Sequence, residues 1–156
     1  MRKVARVLLT IAIILFAAFA GFLGLVAVTD YRPATITEIQ VDNPQEDVVQ
    51  IRREITITSF NIGYCGLDKH ADFFMDGGTM SRAISPEQTA ANIDWVSAFL
   101  TEQKSDIYFL QEVDRRSRRS YRTEQYTRFC SDLSEYSGSF ATNYRVAWVP
   151  VPLADP

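Results

Sequence analysis

Ile55-Thr56-Ile57-Thr58-Ser59-Phe60-Asn61-Ile62 and Ile107-Tyr108-Phe109-Leu110-Gln111-Glu112-Val113-Asp114 are the two segments from which the fold is read. The first alternates β-branched apolar and polar side chains, the pattern of a strand with one buried face. The second is a short apolar run opened by Asp106, a second strand. Between them lies Ser85-Pro86-Glu87-Gln88. Ser85 is a favoured helix cap, Pro86 suits the first helical position, and Gln88 stands where it completes a capping box. Ile93, Val96 and Leu100, with Trp95 and Phe99 beside them, make the apolar stripe of a helix running to about Lys104. Strand, helix and strand in this order make a right-handed crossover with parallel strands. The fold class expected is therefore α/β.

The carboxyl ends of adjacent parallel strands lie side by side, so Asn61 and Glu112 are expected at one sheet edge. An amide oxygen and a carboxylate are hard ligands that suit Mg²⁺ or Mn²⁺. Mg²⁺ takes one or two carboxylates and completes its shell with water and phosphate oxygens, so a short ligand list suffices. Alone, the Asn reads as a turn residue and the Glu as a solvated strand end; the topology joins them.

Away from this unit the chain changes character. Arg2, Lys3 and Arg6 give residues 1–28 a charge of +3, and the 13 basic and 19 acidic residues that follow give −6. Val7 to Val28 holds Thr10 as its one conventionally polar side chain. As a helix this run spans roughly 33 Å, enough to cross a bilayer. The basic residues before it predict a cytoplasmic N-terminus and an extracytoplasmic remainder at the cell membrane, a single-pass arrangement. Ala18-Phe19-Ala20 resembles a signal-peptidase site. Cleavage there would leave Phe22-Leu23-Gly24-Leu25-Val26 exposed to water, so an uncleaved anchor is expected. Phe16, Phe19 and Phe22 recur at helical spacing, but Gly21 and Gly24 lack the GxxxG spacing of a dimer face.

Residues 29–54 read as a stalk, with Thr35 to Val41 alternating like an edge strand and Asp42-Asn43-Pro44 as a turn. Residues 63–84 read as a long ordered loop, in which Asp76-Gly77-Gly78 is a tight turn and His70 a loop histidine. Thr123 to about Tyr136 reads as a helix and Ser139 to Val149 as a strand. At 47% apolar and 22% charged the composition excludes wholesale disorder, and seven Gly and six Pro exclude a collagen-like chain. Two cysteines, Cys65 and Cys130, exclude a disulfide-dense scaffold or a four-Cys zinc site and are expected unpaired.

Ser59-Phe60-Asn61-Ile62 and Leu110-Gln111-Glu112-Val113-Asp114 resemble the first two motifs of the endonuclease/exonuclease/phosphatase superfamily, which includes DNase I-like nucleases, inositol-polyphosphate phosphatases and bacterial neutral sphingomyelinases. Asp72-Phe73-Phe74-Met75-Asp76-Gly77-Gly78 and Phe140-Ala141-Thr142-Asn143-Tyr144 resemble a membrane-anchored bacterial branch. The resemblance covers residues 55 to about 156. It implies a four-layer α/β sandwich and hydrolysis of phosphoesters, in nucleic acid or lipid headgroups, with Mg²⁺ or Mn²⁺. Glu112 would be the principal metal carboxylate, and Asn61 would hold the metal directly or through water. The family's general base and phosphate clamps come from an Asp-x-Asn motif and an Asp-His pair, neither of which follows Glu112. A complete sandwich needs about 250 residues, so residues 55–156 are expected to be its N-terminal half, inactive alone. The alternatives are a non-catalytic, membrane-tethered binding protein or a truncation product.

Arg115, Arg116, Arg118, Arg119 and Arg122 crowd into eight residues after Glu112. Guanidinium groups suit bidentate phosphate contact. With Arg82 and Tyr121, the first four are candidate substrate contacts; the competing reading is a solvated loop balanced by Asp114 and Glu124.

Overall fold

The crossover read from the sequence is present in the computed structural model, which describes residues 2–46, 50, 52–146 and 148–152. In chain order the elements are α1 (Arg2–Thr29), β1 (Val41–Asp42), β2 (Ile57–Asn61), α2 (Pro86–Gln103), β3 (Ile107–Gln111), α3 (Gln125–Asp132) and β4 (Gly138–Ser139). Single 3₁₀ turns occupy Gly63–Cys65, Phe74–Asp76 and Arg118–Ser120. The result is a mixed α/β arrangement.

β2 and β3 pair in parallel, with Ile57 opposite Ile107 and Asn61 opposite Gln111. Asp106 fastens the start of the pair: its carboxylate accepts from the Thr56 N–H and hydroxyl, both at 2.9 Å, and pairs with Arg53. Ile62 N–H and Tyr64 N–H continue the ladder past β2 by donating to the carbonyls of Gln111 and Glu112, each at 3.0 Å.

One face of the pair is covered. Phe60, Tyr108 and Leu110 pack on a core of Ile62, Cys65, Ile93, Val96, Leu100 and Phe129, whereas Ile57 is 58% and Phe109 55% exposed. The period-2 pattern holds, but α2 and α3 cover the Phe60 face, because that face runs on into buried Ile62. Burying Leu100, 0% exposed, contributes about 2 kcal/mol.

α2 starts and stops where its signals stand. Ser85 Oγ accepts from Gln88 N–H at 3.1 Å, and Lys104, at φ 49°, turns the chain out of the helix. The capping box stays open, because the Gln88 side chain donates to Asn92 Oδ1 at 3.0 Å instead.

Three expected elements are shorter than read. The helix expected over Thr123–Tyr136 spans only Gln125–Asp132. At its start Glu124 bridges Arg115 in extended pairing; at its end Leu133 leaves helical geometry while still donating to the Phe129 carbonyl at 2.8 Å. The strands expected over Thr35–Val41 and Ser139–Val149 reduce to Val41–Asp42 and Gly138–Ser139, which pair antiparallel. Each limits the other to two residues, since a strand extends only as far as its partner offers hydrogen bonds. β1 also brings the middle of the expected stalk into the fold: Tyr126 donates to Asp42 Oδ2 at 2.7 Å, and Asn43 Nδ2 to the Tyr136 carbonyl at 3.1 Å. Residues 47–49 and 51, also within that stalk, and residue 147, within the second expected strand, lie outside the described residues.

The chain falls into two units. One contains α1 and Ala141–Pro150, and the other Ile39–Phe140. α1 has 28 residues, with a mean hydropathy of 2.8 over an 18-residue window and no buried side chain, and is long and apolar enough to cross a membrane. In its unit the Trp148 ring meets Phe22 edge to face at 5.2 Å.

Candidate phosphate and metal edge

Asn61 and Glu112 meet at the carboxyl ends of β2 and β3, as the crossover requires. Asn61 Nδ2 donates to Glu112 Oε1 at 2.9 Å. The amide orientation follows from its other end, where Gly63 N–H donates to Asn61 Oδ1 at 2.9 Å. Asn61 thus turns a donor toward Glu112 and orients the carboxylate.

The backbone around this pair is strained. Glu112 has φ 56°, Tyr64 φ 45° and Cys65 φ 53°, all left-handed. Such conformations cost on the order of 1 kcal/mol or more per residue and persist where surrounding contacts over-determine them. Here the over-determination is visible. Gln125, 0% exposed, donates from Nε2 to the Tyr64 carbonyl at 2.7 Å and accepts from Asp114 N–H at 2.9 Å. Gly66 has no room for a side chain: a Cβ there would lie 2.2 Å from the Tyr64 ring.

Arg119 stands beside Glu112, its NH1 3.5 Å from Oε2. Arg119 NH2 and Nε grip Asp114 at 2.9 and 3.1 Å, and Ser120 Oγ donates to the same carboxylate at 2.8 Å. The face of the guanidinium lies 4.1 Å from the centre of the Tyr64 ring. Arg115 and Arg116 pair instead with Glu124, at 3.0 and 3.7 Å. Arg118 and Arg122 are exposed. Arg82 lies 6.0 Å from the Tyr121 ring, and Tyr121 donates its hydroxyl to the Ala83 carbonyl at 2.9 Å.

An open groove of about 890 Å³ starts at Asn61 and Glu112 and is bordered by Asp68, His70, Asn92 and Trp95. His70 is therefore near the edge without joining it; its backbone N–H donates to Asp68 Oδ1 at 2.8 Å. Asp76 stands in the turn expected for it, before Gly77 at φ 90°. Cys65 and Cys130 are unpaired. Burial pushes the Cys65 thiol up to about 12, against an ordinary 9.0. Burial likewise raises Tyr64 from 10.0 to about 12, with Arg119 opposing the rise.

Glu112 fits a hard cation. A carboxylate has roughly four lone-pair sites, and Asn61 and Arg119 engage one oxygen each. Among the described residues no group of three or more His, Cys, Asp or Glu gathers to hold a metal. A cation here would take most of its shell from water and ligand oxygens, as Mg²⁺ does.

Sequence reasoning did not single out Tyr64 or Gln125. Gly63-Tyr64 directly after the Asn61 motif was the available signal for the first. Gln125 carried none, since a polar residue opening a helix reads as solvated. Comparison with protein-family models, curated proteins and solved structures finds no match to this chain.

Proposed function

We propose that the chain supplies the metal-binding edge of a divalent-metal-dependent phosphoester hydrolase of the endonuclease/exonuclease/phosphatase type, held at the membrane by α1. The observation that carries the reading is the Asn61–Glu112 hydrogen bond of 2.9 Å at the ends of two adjacent parallel strands. The motif resemblance supports it, and so does a guanidinium beside Glu112. Bound Mg²⁺ or Mn²⁺ would neutralise phosphate charge and stabilise a leaving oxygen. Glu112 would hold it, and Asn61 keeps that carboxylate in place. In this reading β2 and β3 belong to the first sheet of a four-layer sandwich, whose second sheet would cover the exposed Ile57 and Phe109. The arginine and lysine residues before the apolar run of α1 support a cytoplasmic N-terminus, with the edge then outside the cytoplasm.

Metal binding tests the reading directly. The full chain in non-ionic detergent micelles is titrated with Mn²⁺ and followed by electron paramagnetic resonance, with hydrolysis of simple phosphodiesters and phosphomonoesters assayed alongside. Saturable binding that Glu112→Gln weakens at least about tenfold supports it, since the charge that contacts the cation is lost. Binding that Glu112→Gln leaves unchanged would refute the assignment. Metal binding without turnover is the expectation for this chain alone, because no Asp-x-Asn or Asp-His motif follows Glu112.

A further inference from the structure

The stalk is clasped to the fold at β1 by bonds that water can reach. The ladder to β4 is two residue pairs long, Val41 opposite Ser139 and Asp42 opposite Gly138. Asn43, in left-handed backbone at φ 51°, donates from Nδ2 to the carbonyls of Ser134 and Tyr136. Gln45 N–H donates to Ser137 Oγ at 2.8 Å, and its Nε2 to the Ser134 carbonyl at 3.3 Å. Val41 is 52% exposed, and residues 43–46 are exposed throughout. Because water competes for exposed hydrogen bonds, each contributes little net stability. The Tyr126–Asp42 bond is better shielded, being half-buried.

The two strands of the clasp are held unequally. Gly138 packs so closely on α3 that a Cβ there would lie 2.9 Å from Cys130 Sγ and 3.1 Å from Tyr126 Oη. Phe140, directly after β4, meets the Tyr126 ring edge to face at 5.2 Å. The Arg115 guanidinium lies 5.4 Å from the Tyr126 ring and 5.3 Å from the Phe140 ring. β4 is thus fixed by packing, whereas β1 brings no buried apolar side chain to the pair. Segments with few buried apolar contacts and exposed hydrogen bonds open locally while the rest stays folded.

We infer that β1 is a releasable strap: residues 41–45 leave β4 and the α3–β4 turn while β2, α2, β3 and α3 stay folded. The stalk then exchanges between a clasped and a released state. Clasped, the chain from α1 to the strap is residues 30–40. Released, the next side-chain tie to the core strands among the described residues is Arg53 with Asp106, which leaves residues 30–52 as tether. The longest span of that tether roughly doubles. The strap is a length switch, and it does not depend on what the edge binds.

Hydrogen exchange of the full chain in non-ionic detergent micelles tests it, read by mass spectrometry of peptides containing residues 39–46 and 107–111. The protected amides of residues 39–46 are expected to exchange more slowly than in an unstructured peptide and faster than those of β3. Dilute urea should leave their rate unchanged, since opening the strap exposes little surface. Asn43→Gly keeps the left-handed backbone and removes both side-chain bonds. It should speed exchange of residues 39–46 about tenfold and leave residues 107–111 as they were. Ser137→Ala, which removes one bond, should speed it by less. Exchange of both segments at one rate, with one urea dependence, would make β1 part of global unfolding and overturn the inference. So would Asn43→Gly speeding both segments alike. Exchange of residues 39–46 in the native chain as fast as in an unstructured peptide would show that there is no clasped state, and would overturn it equally.

Discussion

Tyr64 and Cys65 follow Asn61 within four residues, and both are buried in left-handed backbone against the Asp114–Arg119 pair. Desolvation disfavours their ionised forms, so each holds its proton to a higher pH folded than unfolded. The consequence is a stability profile with a defined alkaline limb. Well below pH 9.0 both groups are neutral in either state and the profile is level with respect to them. As pH rises from 9.0 toward about 12, the unfolded chain ionises first and stability falls. Urea denaturation at about pH 8, 10 and 11 checks this, and Cys65→Ser should flatten the start of the fall. A level profile across that range would mean that the thiol is open to water. In the same way Asn61 acts through what it touches, orienting Glu112 by a donor while its oxygen serves the Gly63 turn.

α2 is the element that makes the edge, because its crossing forces β2 and β3 into parallel register. Its start depends on one side chain, since the capping box is open and Ser85 alone supplies the side-chain cap. Ser85→Ala is expected to cost about 1 kcal/mol, measured by thermal or urea unfolding. A loss below about 0.3 kcal/mol would mean that water or Glu87 replaces the cap. Glu87, in the first turn, has its carboxyl held below the ordinary carboxylate range by its own backbone N–H and by Ser85. α3 adds Phe129 to the same core and is tied to α2 by Arg128, which bonds Asp132 at 2.7 Å and Asp94 at 2.9 Å. The short elements were the least legible in the sequence. Alternation over Thr35–Val41 and Ser139–Val149 states only that a strand is permitted, and its length was settled by a partner two residues long.

The charge asymmetry from +3 to −6 and the apolar length of α1 concern the chain as a whole. If α1 anchors the chain, it should sediment with membranes, resist alkaline carbonate and be released by detergent. Deleting residues 2–28 should move it to the soluble fraction. A mature N-terminus after Ala20 would show a cleaved signal instead, read by mass spectrometry of the intact protein. What local patterning determined was the apolar helix, the crossover and the meeting of Asn61 with Glu112, because hydrophobic periodicity and strand order are properties of neighbours in sequence. Which face of β2 is buried, which of five arginines stands beside Glu112, and how Tyr64 and Gln125 lock it were decided only by the tertiary structure. Those choices depend on contacts between residues as far as 61 positions apart, such as Gln125 with Tyr64, and no local pattern encodes such a pairing.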